Sequence, residues 1–324
     1  MSQANFLQAR LGMPIWSRRW DPSEMADLDG KVALVTGGNT GIGYHTCAEL
    51  IRKGCRVYMA CRSEQRARDA IERLSKDVPD SASKVAYLPF DLTELKSAKK
   101  AAETLKSKEQ RLDIVICNAG IMAWPFELKN GIEIQFYNHL GHFALVTELL
   151  SLLEKTAQEP DSHVRVVSVS STGHQITGTP DFSSTESVNR QMTSTWHRYG
   201  QSKLSNILFA NGLQKRVYSK NIRCLSLHPG VVYTELTRGP VASAPVLGHV
   251  MRILSSWLAM TPAEGAKTQL YAAASPEVDD LDLKAAYLTP IAAITTPSAY
   301  ARDDKLAEDL WRLSEQIVRD ALRA

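Results

Sequence analysis

Tyr199 and Lys203 pair a phenol with an ammonium four residues apart. On a helix they share one face, a single turn from each other. An ammonium beside a phenol favours the phenolate and so lowers the tyrosine pKa. A phenol tuned in that way gives or takes a proton near neutral pH. Both residue types are common, so the pair needs neighbours before it means anything.

A second stretch supplies one. Thr36-Gly37-Gly38-Asn39-Thr40-Gly41-Ile42-Gly43 follows an apolar run at 32–35 and opens a helical pattern at 42–53. Glycines permit a tight turn and close backbone approach to a pyrophosphate. The helix that follows presents unpaired N–H groups to the anion. The spacing Gly-x-x-x-Gly-x-Gly departs from the general dinucleotide fingerprint, but the strand-turn-helix setting is that of a dinucleotide site. The next apolar run ends Met59-Ala60-Cys61-Arg62. An acid there would hold the ribose hydroxyls of NAD. Arg62 stands instead, and a guanidinium grips a 2′-phosphate with two hydrogen bonds. NADP(H) is therefore the expected cofactor.

Further polar stretches end the later apolar runs: Asp91-Leu92, placed to meet an adenine ring, then Asn118-Ala119-Gly120, Ser170-Ser171, and His228-Pro229-Gly230-Val231-Val232-Tyr233-Thr234. Taken singly, these are turn formers. His174 and His228 are further candidate proton carriers and read mainly as structural.

The elements that must position these residues follow from the hydrophobic pattern. Short apolar runs at 32–35, 57–60, 85–88, 112–117, 164–169 and 222–227 suit strands buried on both faces. Between them, 42–53, 64–74, 94–105, 132–153 and 196–216 have helical spacing. The alternation predicts an α/β fold, a single Rossmann-type doubly wound parallel sheet with helices on both faces. Its ligand crevice lies beyond the carboxyl ends of the strands. Residues 1–29 read as an N-terminal extension and 30–324 as one domain. The Ser/Thr/Gly-rich stretch 172–195 is long for a compact domain, hence functional or mobile. Residues 235–262 are apolar and read as a helix on the domain or a lid over the crevice. Residues 303–322 form an amphipathic closing helix.

Composition narrows the classes. The chain has 324 residues, 44% of them hydrophobic, and a net charge of +3 with both signs mixed. That gives no reason to expect nucleic acid as a partner. Five scattered cysteines, with no Cys/His cluster, suit buried reduced thiols rather than a metal site. No uninterrupted apolar run is long enough to span a bilayer. A cytoplasmic protein is expected, with peripheral membrane contact left open.

Together and in this order, the glycine turn, Asp91-Leu92, Asn118-Ala119-Gly120, the serine pair, Tyr199-Gly200-Gln201-Ser202-Lys203 and the stretch from His228 to Thr234 resemble the short-chain dehydrogenase/reductase family. The resemblance covers roughly 31–234. Within the family the sequence is similar to the retinol-dehydrogenase-like and WW-domain-oxidoreductase-like group, through Asn39-Thr40, Ala60-Cys61-Arg62 and Asn138-His139-Leu140-Gly141-His142-Phe143. It implies Tyr199 as general acid/base, Lys203 as its tuner and ribose ligand, Ser171 rather than Ser170 on the substrate oxygen, and Asn138 as holder of a relay water. It further implies cofactor contacts at Gly37, Asn39, Thr40, Gly41, Ile42, Gly43, Arg62, Asp91, Leu92, Asn118, Ala119, Gly120, Val232 and Thr234. The implied reaction is NADP(H)-dependent interconversion of a carbonyl and an alcohol on a small hydrophobic molecule. The long gap between Ser171 and Tyr199 bears on the shape of the substrate pocket. The helices that carry Asn138 and Tyr199 are a possible homodimer face. A catalytically silent NADP-binding scaffold is the alternative; the intact Tyr, Lys and Ser speak against it.

Overall fold

The computed structural model describes residues 20–192, 194–232 and 260–323. The strands are β1 Val32–Thr36, β2 Arg56–Cys61, β3 Val85–Pro89, β4 Ile114–Cys117, a hairpin of β5 Leu128–Lys129 and β6 Ile132–Glu133, then β7 Val164–Val169, β8 Ile222–Leu227, β9 Tyr287–Thr289 and β10 Ala293–Thr295. The helices are α1 Gly41–Arg52, α2 Glu64–Asp77, α3 Leu95–Lys108, α4 Tyr137–Thr156, α5 Thr185–Val188, α6 Thr195–Gln214, α7 Pro262–Ala274, α8 Glu277–Asp280 and α9 Asp304–Arg323.

Apart from the β5–β6 hairpin, the strands form one sheet in the order β3-β2-β1-β4-β7-β8-β9-β10. Its neighbours are parallel except for β9 and β10. Every residue of β1, β4 and β7 is buried, as helices on both faces require. One face packs on α3, α4, α6 and α9 through Leu105, Phe143, Phe209 and Trp311. The other packs on α1, α2 and α7 through Leu50, Leu74 and Leu270. This is the doubly wound sheet, and its order reverses between β1 and β4. In doubly wound sheets the ligand site lies at such a reversal, beyond the strand ends.

Several elements differ from expectation. The helix expected from 132 starts at Tyr137, because Asn130 and Gly131 take left-handed φ values of 50° and 79° and fold 128–133 into a hairpin. Glu133 then accepts from the Gln135 and Phe136 amides and turns the chain toward α4. The fourth strand begins at Ile114, not 112; the Leu112 amide is taken by the Thr156 hydroxyl. β9 and β10 arise inside the uncharged stretch 285–301, where no strand was expected. The stretch 172–195 contains the 3-10 turn Thr172–Ile176 and α5.

Trp20 packs edge-on against Tyr271, centroids 5.6 Å apart, and the Ala26 amide donates to the Ala274 carbonyl. The described part of the leading segment thus lies against α7. Of the stretch 235–262, residues 235–259 lie outside the described residues. Thr261 caps α7 in a reciprocal pair with Glu264. All five cysteines are buried free thiols. No described helix is long and apolar enough to cross a membrane.

α9 packs against α4 and α6, the helices expected to offer a possible dimer face. The Trp311 ring lies 4.9 Å from Phe143 and 6.1 Å from Phe209, centroid to centroid. Such aromatic contacts add to the apolar area they bury.

Candidate active site

β1 runs into the glycine turn, where Gly37 and Gly41 hold φ values of 66° and 54° that side chains disfavour. A Cβ on Gly43 would stand 2.3 Å from the Gly37 carbonyl oxygen and 2.7 Å from Asn118 Nδ2. Only glycine lets α1 begin so close to the turn. Thr40, the N-cap of α1, makes no side-chain capping bond, and the first turn holds no acid. Asn39, Thr40 and Ile42 therefore surround a helix end whose N–H groups and dipole suit an anion. The cradle fits a dinucleotide pyrophosphate.

The turn is locked to β4 through one hydroxyl. Thr36 Oγ1 accepts from the amides of Asn118 and Ala119, each at 2.9 Å, and lies 2.8 Å from His142 Nε2. Asn118 Nδ2 donates back to the Thr36 carbonyl at 2.9 Å. His142 Nδ1 is 2.8 Å from the Asn138 carbonyl, which can only accept, so Nδ1 carries the proton and Nε2 accepts from Thr36. Burial pushes His142 down to about 4 and keeps it neutral.

Asn138 braces the same region from α4. Its side-chain oxygen accepts from the Ile121 amide at 2.8 Å, and its nitrogen donates to the Ile121 carbonyl and to Ser202 Oγ. Gly120 lies beneath: a Cβ there would be 3.1 Å from Asn138 Oδ1 and 3.6 Å from Lys203 Nζ. Asn118, Gly120, Asn138 and Lys203 thus meet at the sheet reversal.

α6 carries Tyr199 and Lys203. Tyr199 and Lys203 are both buried, with the ammonium 5.7 Å from the centre of the phenol ring. Lys203 Nζ donates to the Val169 carbonyl at 2.9 Å. A Cβ on Gly173 would be 3.0 Å from Tyr199 Cε1 and 3.4 Å from Ser171 Oγ, so phenol ring and serine hydroxyl border one spot. Ser170 faces away, its hydroxyl donating to the Lys203 carbonyl at 2.6 Å. Behind the tyrosine, the buried pair Arg198–Glu133, 3.1 Å apart, ties the start of α6 to the turn that opens α4.

Spacing alone predicts that Lys203 draws the phenol's pKa down. In the fold burial wins: it pushes Tyr199 up to about 12, against a smaller downward pull from Ser171. The same burial pushes Lys203 down to about 8. Burial therefore keeps Tyr199 protonated at neutral pH.

The remaining expected contacts sit apart from this cluster. Arg62 is exposed just past β2, and Glu64, two residues on, is engaged by Arg68 at 2.5 Å. Asp91 spends a carboxylate oxygen on the amide and hydroxyl of Thr93. The Leu92 carbonyl lies against α4, 2.2 Å from where a Cβ on Gly141 would be. Val232 bridges to Met260 and meets Gly265 of α7, which also lies against Ile42. Thr234 lies outside the described residues. Sequence reasoning did not single out Thr36 or His142 as site-building residues. The only local signal was the spacing of Asn138 and His142, one helical turn apart.

The model of the short chain dehydrogenase family matches residues 31–185. A short-chain dehydrogenase/reductase of Colletotrichum higginsianum is 40% identical over 318 residues, covering 93% of this chain and 78% of its own. Retinol dehydrogenase 14 of Homo sapiens is 36% identical over 311 residues, covering 90% and 87%. Among solved structures, an uncharacterized protein from Mycobacterium paratuberculosis superposes with a TM-score of 0.70 at 29% identity, covering 93% of this chain and 97% of that one. A Pseudomonas aeruginosa RhlG/NADP complex shares the fold, with a TM-score of 0.61 at 22% identity, covering 87% and 100%.

Proposed function

The chain belongs to the short-chain dehydrogenase/reductase family, an oxidoreductase family that uses nicotinamide dinucleotides, and on that footing we propose an NADP(H)-dependent oxidoreductase that interconverts a carbonyl and an alcohol on small hydrophobic molecules. The observation that carries this reading is the buried Tyr199 ring bordering the Ser171 hydroxyl, with Lys203 one turn on, at the sheet reversal.

When bound, the nicotinamide supplies the hydride in reduction and accepts it in oxidation. The glycine turn and the α1 N-terminus hold the pyrophosphate. Ser171 donates a hydrogen bond to the substrate oxygen as negative charge develops there. Tyr199, kept protonated by burial, gives its proton to that oxygen. Lys203 holds positive charge beside the phenolate left behind and stabilises it. Asn138 fixes the loop after β4 on which this geometry rests.

Arg62 supports NADP(H) over NAD(H): it is exposed at the end of β2, and the nearby Glu64 is neutralised by Arg68. The likeness to retinol dehydrogenase 14 supports an apolar alcohol or carbonyl as substrate. The test is NADPH oxidation against a broad panel of apolar aldehydes and ketones, with NADH in parallel. Faster turnover with NADH would overturn the cofactor assignment. Tight NADPH binding without turnover on any carbonyl would leave a silent scaffold instead.

A further inference from the structure

The proton chemistry above uses Ser171 but not the residue that holds it. His174 is fully buried in the 3-10 turn Thr172–Ile176. Its Nδ1 lies 2.7 Å from the Ser171 carbonyl oxygen. The Ser298 amide donates to its Nε2 at 3.1 Å, from 124 residues further along the chain. A backbone N–H only donates, so Nε2 is unprotonated. A carbonyl only accepts, so Nδ1 bears the proton. One neutral tautomer therefore joins Ser171 to the segment that follows β10. The Tyr287 ring closes another side of the imidazole edge-on, with centroids 5.3 Å apart.

The other side of Ser171 is fixed as well. The Ser170 amide donates to the Leu227 carbonyl at 2.6 Å, and its hydroxyl donates to the Lys203 carbonyl. The turn has no slack against α6: a Cβ on Gly200 would lie 2.6 Å from the Gly173 carbonyl oxygen. Ser170 anchors the serine to the sheet; on the turn side the His174 amide donates to the Ser171 carbonyl and the Gly173 amide to its hydroxyl, each at 3.1 Å, and the imidazole adds the side-chain anchor.

We propose that His174 is a positioning residue for Ser171, its Nδ1–H holding the serine's carbonyl so that the hydroxyl faces the substrate oxygen. This rests on the reading of Ser171 given above. The bond to Ser171 is the working arm. The bond from Ser298 sets the ring's tautomer.

Two amides separate the arms. An asparagine places its side-chain N–H where Nδ1 stands, and a glutamine places its carbonyl oxygen where Nε2 stands. His174→Ala, His174→Asn, His174→Gln and Ser171→Ala are compared for kcat, KM, NADPH affinity and melting temperature, using the full chain. His174→Ala should lose on the order of 10- to 100-fold in kcat, the scale of a misplaced catalytic group, with NADPH affinity unchanged. His174→Asn should recover most of that loss and His174→Gln little of it. Equal kcat in the two amide variants, high or low, overturns the proposal, as does recovery by Gln alone. Loss of NADPH affinity in step with lowered melting temperature in all three makes the ring a mere fold support and overturns it too. Full activity of Ser171→Ala would instead remove the reading of Ser171, in a variant that leaves His174 intact.

Discussion

The two ends of the site are made of different material. At the cofactor end, around β1, α1 and the loop after β4, the surfaces are main chain: glycines, a helix terminus and amides drawn together by the Thr36 hydroxyl. At the chemical end, around β7 and α6, they are buried side chains whose protonation is set by burial: Tyr199, Lys203 and His174. The first end depends on empty space where a Cβ would be. The second depends on which atoms carry protons. A mutation therefore acts by bulk at one end and by chemistry at the other, and the two kinds of damage separate in binding and in rate.

Tyr199→Phe is the sharpest break. It should lower kcat by roughly 10²- to 10⁴-fold, the usual worth of a positioned acid, while NADPH titration shows intact binding. Loss of binding in that variant would mean that the ends are not separable. Gly43→Ala attacks the other end, since its Cβ would sit 2.3 Å from the Gly37 carbonyl oxygen. NADPH affinity should fall roughly 10- to 100-fold, the scale of an overpacked contact. A residual kcat near wild type at saturating NADPH would confirm that bulk, not chemistry, was changed. Arg62→Gln should weaken NADPH by about 10-fold and leave NADH alone, as loss of a charge-assisted bond requires. Equal loss for both cofactors would refute the 2′-phosphate role.

Ring by ring, the smallest effect is on stability. Burial holds His139, His142 and His228 down to about 3, 4 and 4. Unfolded, such rings titrate near 6.5, so below that pH the unfolded chain binds more protons and gains. Stability should therefore fall as pH drops from 6.5 toward 4, by about 1 kcal/mol per ring at pH 5.5. Chemical denaturation at a series of pH values measures it. A flat profile between 6.5 and 5 would show that these rings accept protons in the folded state.

The same contrast explains what could be read from the sequence. The glycine turn is a local message: strand, turn and helix lie within one contiguous stretch, and each glycine's reason is nearby. The inner strands were equally plain because continuous apolar runs have few other uses. The hairpin at Asn130 and Gly131 was also local and was overrun by the helical spacing around it. β9 and β10 are three residues each and flank Pro290, too short for periodicity to speak. His174 and Ser298 carry no mutual signal, because only the closed sheet brings them together. The phenol's pKa was read with the wrong sign because spacing reveals a neighbouring charge but not the depth of burial. Where α9 docks was not legible either, because an amphipathic pattern marks a buried face but not the helices it packs on.

That docking bears on how the molecule is made. A ribosome releases β1 through α6 before it releases α9 or Ser298. Until then Phe143 and Phe209 lack their Trp311 cover, and Ser171 lacks the tether that runs through His174. The nascent chain can thus close its nucleotide half early, yet it must hold an aromatic face open to solvent, and to chaperones, until α9 emerges.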